Sequence, residues 1–474
     1  MLKPIFSKFV CILVVFTLSG CATMQFRDLF SGYAQQMKPV QLQAINGQYE
    51  QALQQVPERE ISDTNYVLAL LEKGRLKHLS GDYKASKFYF SQANAYIDEQ
   101  KLKAKLQMSK GIQNIGAVLS NDNAITYVVP DYEQSMMHSY QALNYLYLGD
   151  YEAALVEIRK ANLVQRAALE NNFDVINDAI ASLQNDARLD WQSISTTYPE
   201  MEDVIGEAKN GFQNAYTFYM SAVLYEASGE LNDAYIDYKK ALEIYPDNQY
   251  LQNDVLKLAT QLGMTDDLAK FEKRFGKYQK NKQKNTGQVV VIYDQGLVEE
   301  RDEMRLRLPV YTSDDEMRFY SVSLPVYHKS EQYFPNAQLS INDEVLTFDQ
   351  IVKVEALAAQ TLKSQLPSLI TRQVIRLIAK EKMRKKMSKE GGDVGNILAN
   401  IYNLSSERAD TRSWLTLPQS SKIMRSDVTE GNHNISIKVG ALNKEINFDV
   451  KANRITLVNI TATGNHIDYK AINL

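Results

Sequence analysis

The sequence predicts an α + β multidomain chain. An all-α solenoid of helical hairpins fills residues 33–276, and an α+β, sandwich-like domain with a helical insertion fills 288–474. Three observations carry this. A glycine-centred turn recurs on a fixed register through the first half. Hydrophobic periodicity changes from helical to two near residue 288. The first 20 residues form a separate basic and apolar segment ending at a cysteine. The 474 residues are 45% hydrophobic and 23% charged, a globular composition long enough for more than one domain. The net charge of −4 argues against nucleic acid as a partner.

The amino terminus reads Met1-Leu2-Lys3-Pro4, with a second basic residue at Lys8 and an apolar run from Phe9 to Leu18. That run is too short to span a bilayer, which takes about 20 apolar residues, and has the form of a secretory signal. It ends at Leu18-Ser19-Gly20-Cys21, which resembles a bacterial lipobox. The Cys21 thiol would receive the lipid, and small residues at 19 and 20 fit a peptidase cleft. Residues 1–20 are then a lipoprotein signal peptide, and 21–32 a lipidated tether. Ala22, where an aspartate would retain the protein at the inner membrane, implies the periplasmic face of the outer membrane. Cleavage also removes Cys11, so no disulfide is expected, and loss of Lys3 and Lys8 takes the charge from −4 to about −6.

The turn Gly81-Asp82-Tyr83-Lys84-Ala85 recurs at Gly149-Asp150-Tyr151-Glu152-Ala153, and in looser form at Gly47, Gly229 and Gly263. Gly47 to Gly81 is 34 residues, Gly81 to Gly149 is 68, and Gly229 to Gly263 is 34. Small residues follow the glycine at Ala154 and Ala161, and at Ala234 and Ala241. Large ones stand at Phe90, Ile158 and Tyr238, and small ones precede it at Gly74, Ala142 and Ala222. This pattern resembles tetratricopeptide repeats, whose period is about 34 residues, strongly for 67–100, 135–168 and 215–248 and weakly for 33–60 and 249–276. The resemblance implies a concave groove that binds a peptide or helix of a partner. A unit due at 101–134 reads as a divergent or loop-interrupted pair, and 163–210 as extended helices or a protruding hairpin.

Residues 277–287 read as a polar linker following a basic run that starts at Lys270. Strands are expected within 288–348 at Val289–Tyr293, Met304–Leu308 and Tyr320–Leu324, with shorter ones at 338–342 and 345–348. Helices are expected within 350–403: one capped by Asp349 and broken at Pro367, a basic one over 368–389 with Val374 and Ile375 on its apolar stripe, and a short third one. Strands return within 412–472, at 412–417, around Ile435–Val439 and Ile446–Val450, over Ile455–Ile460 and at 466–472. The hairpin after Gly431 resembles PEGA or transthyretin-like β-sandwich modules over about 40 residues.

Residues 409–418 read Ala-Asp-Thr-Arg-Ser-Trp-Leu-Thr-Leu-Pro. With the lipobox, the repeats and the strand at Val289, this motif resembles a family of uncharacterised proteobacterial tetratricopeptide lipoproteins. The matching residues are Asp410, Arg412, Ser413, Trp414, Leu417 and Pro418. The family has no established activity to carry over. The frequent neighbourhood of its genes to those of penicillin-binding-protein activators implies envelope work. Two roles are open for Asp410, Arg412 and Trp414: a partner-contact patch, with Arg stacked on Trp, or a buried Trp with an Asp–Arg pair fixing a turn.

No metalloprotease, nucleophile-elbow, phosphate-loop or Ser-x-x-Lys motif is present. The 5 His, at 78, 138, 328, 433 and 466, have no ligand spacing. No catalytic residue, metal, cofactor, small-molecule substrate or nucleic acid is expected. The expected role is a non-enzymatic, outer-membrane-anchored scaffold that engages envelope proteins through the solenoid groove and the membrane through its lipid. The alternatives are regulation of peptidoglycan synthesis alongside a penicillin-binding-protein activator and, more remotely, an enzyme acting on glycans.

Overall fold

The computed structural model describes residues 32–109, 122–186, 199–279, 283–311, 317–329, 334–377 and 408–474. Cys21 and the rest of the amino-terminal segment lie outside these residues, as do Lys380 to Lys389 of the basic helix and Gly391-Gly392.

The first half is a stack of antiparallel helical hairpins. They are α1 (Tyr33–Ile45) with α2 (Tyr49–Gln55), α3 (Tyr66–Leu79) with α4 (Tyr83–Ser109), and α5 (Asp131–Tyr147) with α6 (Tyr151–Asp186). The short α7 (Pro199–Ile205) follows, then α8 (Ala215–Ser228) with α9 (Leu231–Ile244), and α10 (Gln249–Leu262) with α11 (Thr265–Phe275).

One backbone device joins every pair. Gly47, Gly81, Gly149, Gly229 and Gly263 all take left-handed φ, from +67° to +83°. At each, the glycine N–H and the next N–H return to carbonyls of the preceding helix, as in Gly149 to Leu146 and Asp150 to Tyr145. This Schellman closure needs a residue without a Cβ penalty. The aspartates that follow act as caps: Asp82 Oδ1 accepts from Ala85 N and Asp150 Oδ1 from Ala153 N, both at 3.1 Å. A Cβ on Gly149 would meet nothing within 4 Å. Gly149→Ala is therefore expected to cost only the backbone term, about 1 kcal/mol. Gly74→Ala is expected to cost more, because its Cβ would sit 2.5 Å from the Phe90 ring. Thermal unfolding of the two variants checks the ranking.

Among the described residues, no second hairpin stands between α4 and α5 in the 68-residue interval. The helix α4 runs on to Ser109, and a 3-10 turn at Asp122–Ala124 precedes α5. The hairpin α5–α6 packs directly on α4, with Gln141 Nε2 donating to the Lys87 carbonyl and Ser91 Oγ at 3.1 Å each. Part of the extra length goes into a longer helix, and 110–121 lie outside the described residues. Likewise α6 extends to Asp186, and 187–198 lie outside the described residues.

The second half holds strands β1 (Thr286–Gln295), β2 (Asp302–Tyr311), β3 (Met317–Val326), β4 (Ala337–Ile341), β5 (Glu344–Leu346) and β6 (Asp349–Lys353). After helix α12 (354–377) come β7 (Ser420–Thr429), β8 (Gly431–Val439), β9 (Leu442–Val450), β10 (Ile455–Ala462) and β11 (Ile467–Asn473). A five-stranded sheet runs β11-β10-β1-β7-β6, with β1 parallel to β10 and the other pairs antiparallel. A four-stranded sheet runs β5-β4-β8-β9, and β2 pairs with β3 alone.

The sandwich core lies between the two larger sheets, with Val289, Val291 and Tyr293 facing Ile435, Ile437, Ile446 and Phe448. The alternate residues Val290, Ile292, Ile423 and Leu457 face the solenoid and join its core. The chain is thus a helical solenoid followed by an α+β sandwich with a helix, and the five-stranded sheet is covered on both faces.

Four expectations for this domain are corrected. Asp349 does not start a helix: it lies in β6, and its Oδ2 accepts from Gln249 N at 2.7 Å, capping α10 across the domain junction. Pro367 does not break α12, which runs unbroken through it. Burial of Leu362, Leu366, Leu369, Ile370 and Val374 along the helix offsets the roughly 3 kcal/mol that proline costs there. On the expected apolar stripe, Val374 is buried but Ile375 is exposed, while Arg376 is buried against Asp122 at 2.9 Å. Residues 412–417 form no strand; the reason lies in the groove they cross.

Candidate functional site: the solenoid groove and its occupant

The first helix of each hairpin lines the inner face of the stack, and in α3, α5 and α8 that face is almost wholly buried. Charged residues stand within it. Glu72 and Arg75 on α3 and Glu133 on α5 are buried to 2% exposure or less. Such groups need partners, and these come from the far end of the chain.

The segment 409–419, which turns at Leu415-Thr416, lies along this inner face. The backbone N–H groups of Ala409, Arg412, Trp414, Leu415 and Thr416 are satisfied by carboxylates rather than by a neighbouring strand, and 412–417 join no sheet. Glu133 Oε1 accepts from Trp414 N at 3.0 Å. Glu72 accepts from Leu415 N at 2.8 Å, Thr416 N at 3.1 Å and Thr416 Oγ1 at 2.6 Å, and from the Tyr33 hydroxyl at 3.1 Å. Burial pushes the Glu72 carboxyl up to about 7, although the Thr416 hydroxyl, the Leu415 N–H and the Tyr33 hydroxyl pull it down. Burial likewise raises Glu133, against the Trp414 N–H and Arg301.

The partner-contact expectation for Asp410, Arg412 and Trp414 is corrected by this placement. Trp414 is 0% exposed, edge-on to Phe90 and Tyr140, and its Nε1 donates to Thr416 Oγ1 at 2.9 Å. Arg412 pairs with Asp410 at 2.7 Å and donates to the Ile125 and Asp122 carbonyls at 2.8 and 3.0 Å. It fastens the segment to the loop before α5. Trp414 has no accessible surface to offer a partner, and Asp410, half-buried, is engaged by Arg412, so these three positions serve the junction between domains.

Two further clusters complete that junction. Asp294 at the end of β1 accepts from Ser421 Oγ at 2.7 Å and from Arg75 and Tyr140 at 3.3 Å, with the Arg75 guanidinium 3.8 Å from the Tyr140 ring centroid. At the other end, Arg425 of β7 reaches Glu226 of α8 at 2.8 Å, the Tyr238 hydroxyl of α9 at 2.6 Å and Asp254 of α10 at 3.1 Å. Lys257 closes the cluster on Glu226 at 2.6 Å. Burial raises the Glu226 carboxyl, but Arg425 and Lys257 outweigh it and hold the group near 2. At Asp254 burial wins and the carboxyl is raised.

The groove expected to receive a partner therefore holds the chain's own segment. Sequence reasoning passed over Glu72, Glu133, Arg75, Asp294, Arg425, Glu226 and Asp254. The available signal was a charge inside an apolar run, as at Glu72 and Arg75 between Val67 and Leu79 or Asp294 after Val289–Tyr293.

An open cleft of about 560 Å³ lies where the loop 206–213 and the α9–α10 corner meet β6 and the start of α12. Its floor is pinned by Asn248 Nδ2 on the Gln350 carbonyl at 2.9 Å and by Lys353 N on the Tyr245 hydroxyl at 3.2 Å. Glu207, Glu243, Asp247 and Asp349 give it an acidic rim opposed by Lys209 and Lys353. Among the described residues no helix is long and apolar enough to cross a membrane, and no group of His, Cys, Asp and Glu could hold a metal ion.

No protein-family model and no curated relative matches the chain. Among solved structures, BtubC from P. vanneervenii is similar at 13% identity, over 53% of this chain and 80% of that one, with a TM-score of 0.24. The TPR2AB domain of yeast Sti1, solved in a complex with pHSP90, is similar at 11% identity over 50% and 87%, with a TM-score of 0.17. The TPR domain of P58(IPK) is similar at 16% identity over 52% and 74%, with a TM-score of 0.13.

Proposed function

We propose that the protein is a lipoprotein held by Cys21 on the periplasmic face of the outer membrane, where it acts as a protein–protein interaction scaffold in the cell envelope. The observation that supports the scaffold role is a hairpin solenoid packed against a second domain through a shared core, with several faces left open. The Leu18-Ser19-Gly20-Cys21 motif supports the location. Because the inner groove is filled, the partner docks elsewhere, and the cleft at β6 is the opening that suits an extended segment of it.

Deleting the solenoid would destroy both domains, so the test uses surface charges. Glu243→Lys and Lys353→Glu on the cleft rim are expected to abolish co-purification of an envelope protein in mild detergent. Lys438→Glu, on β8 of the outer sheet, is expected to preserve it. Absence of any reproducible partner of the intact protein would defeat the scaffold reading. A partner that acts in peptidoglycan synthesis would give it a regulatory role. Separately, Cys21→Ser is expected to abolish palmitate incorporation and release the chain from the membrane fraction.

A further inference from the structure

The cleft beside β6 is held open by both domains. Gly211, in the loop that walls it, packs so closely on α12 that a Cβ there would lie 2.2 Å from Thr361 Oγ1. Thr361 Oγ1 also donates to the Gly211 carbonyl at 3.0 Å, which fixes the loop 206–213 to the second domain. The lining includes Ile205, Ile244, Val352, Ala356 and Leu357, an apolar surface shared by the two domains. Its volume of about 560 Å³ lies in the range of ligand sites, roughly 300–1,000 Å³.

β6 is an edge strand of the five-stranded sheet, and an open edge would accept a strand from a partner. Here two main-chain groups of that edge are already taken. The Gln350 carbonyl accepts from Asn248 Nδ2, and Lys353 N donates to the Tyr245 hydroxyl. This obstructs strand addition and leaves binding in the cleft to side chains.

The rim sets the charge of the ligand. Glu207, Glu243, Asp247 and Asp349 against Lys209 and Lys353 leave a net charge of −2 around the opening. The Glu207, Glu243 and Asp247 side chains are exposed, and their carboxylates have no ion-pair or hydrogen-bond partner among the described residues. Elsewhere along the junction the chain supplies its own cations: Glu226 has Arg425 and Lys257, and Asp294 has Arg75. An apolar floor under an acidic rim matches a lysine or arginine side chain, whose stem is apolar and whose tip is cationic. We propose that the cleft docks a short peptide segment of a partner protein in which lysine or arginine stands beside an apolar residue. The existence of the partner rests on the scaffold reading; the chemistry of the cleft is tested apart from it.

The test is fluorescence anisotropy on the full chain, in a non-ionic detergent, with a short labelled peptide carrying lysine beside leucine. Counterparts carry glutamine or glutamate in place of lysine. The lysine peptide is expected to bind, less tightly as salt is raised. The glutamine peptide is expected to bind about tenfold more weakly, and the glutamate peptide not at all. Glu207→Gln/Glu243→Gln/Asp247→Asn is expected to weaken the lysine peptide about tenfold and to erase its advantage over glutamine. Those carboxylates are exposed and unpaired, so this variant is expected to keep the parent melting temperature. Glu430→Gln/Glu445→Gln/Asp449→Asn makes the same charge change at exposed positions from the end of β7 to β9, and is expected to leave binding unaltered. Equal binding of the lysine and glutamine peptides, binding that the cleft variant does not weaken, or equal weakening by the second variant would overturn the proposal. So would a dimer of the parent chain that the cleft variant dissolves, since a second copy would then be the occupant. A reproducible partner whose cleft-binding segment has no cation would overturn it and leave the scaffold reading standing. Selective lysine-peptide binding by a chain without any partner would support the charge preference and defeat the scaffold reading.

Discussion

Glu72→Ala is expected to lower the unfolding free energy by about 4 kcal/mol and to expose Trp414. The side chain takes four donors: two backbone N–H groups of the 409–419 segment, the Thr416 hydroxyl and the Tyr33 hydroxyl. Alanine would leave them buried and unpaired, at roughly 1–3 kcal/mol each where no water can enter. Urea titration followed by Trp414 fluorescence measures the loss. Trp191 lies in the other half of the chain, so a Trp191→Phe background isolates the signal.

Glu72→Gln separates shape from charge. With a folded pKa of about 7 against an ordinary 4.5, Glu72 binds its proton more tightly in the folded state. Its contribution is therefore full below pH about 4.5 and is lost as pH rises through 7. At ~1.4 kcal/mol per pKa unit, this linkage is worth at most ~3 kcal/mol. Parent stability should rise on acidification from about pH 8 to pH 5, and the Gln variant should flatten that slope. Glu226 works in the opposite sense. Its folded pKa near 2 gives stability that is present above 4.5 and lost as pH falls towards 2.

Arg425→Ala is expected to cost about 3–5 kcal/mol, because it strands Glu226 and Asp254 with Lys257 as their one remaining cation in the cluster. The four charges balance in the parent and leave a net negative charge in the variant. Adding Asp254→Asn to Arg425→Ala should recover part of the loss, since it removes the carboxylate that burial already disfavours. Asp254→Asn alone should destabilise. A double-mutant cycle on the urea midpoints would give that coupling, and additive effects would show that the charges act independently.

The features legible in the sequence are those decided locally. A left-handed turn demands glycine at five positions whatever surrounds it, so the hairpins can be read from Gly47 to Gly263. The run Val289–Tyr293 announces a central strand because both of its faces are apolar. What escaped depends on partners hundreds of residues away. Residues 412–417 look like a strand, yet the N–H groups of Trp414, Leu415 and Thr416 meet Glu133 and Glu72. Asp349 looks like the cap of the helix that follows it, yet it caps α10, 100 residues earlier. Pro367 is tolerated because its helix is clamped on a core formed by other elements. The candidate site misled for the same reason: an Asp–Arg–Trp motif has the chemistry of a contact patch, and only its depth shows that the partner is the chain itself.

The contacts from Leu415 and Thr416 to Glu72 span 343 and 344 residues, and β1 gains both its neighbours from the last 55 residues of the chain. The helices made first during synthesis thus carry buried charges whose partners in the 409–419 segment and in β1 are made last. Such distant closure folds slowly, and a product cut short before Asp410 would keep its groove raw and its central strand unpaired on both edges. The architecture acts as a check on length, leaving incomplete chains open to proteolysis and sparing the finished molecule.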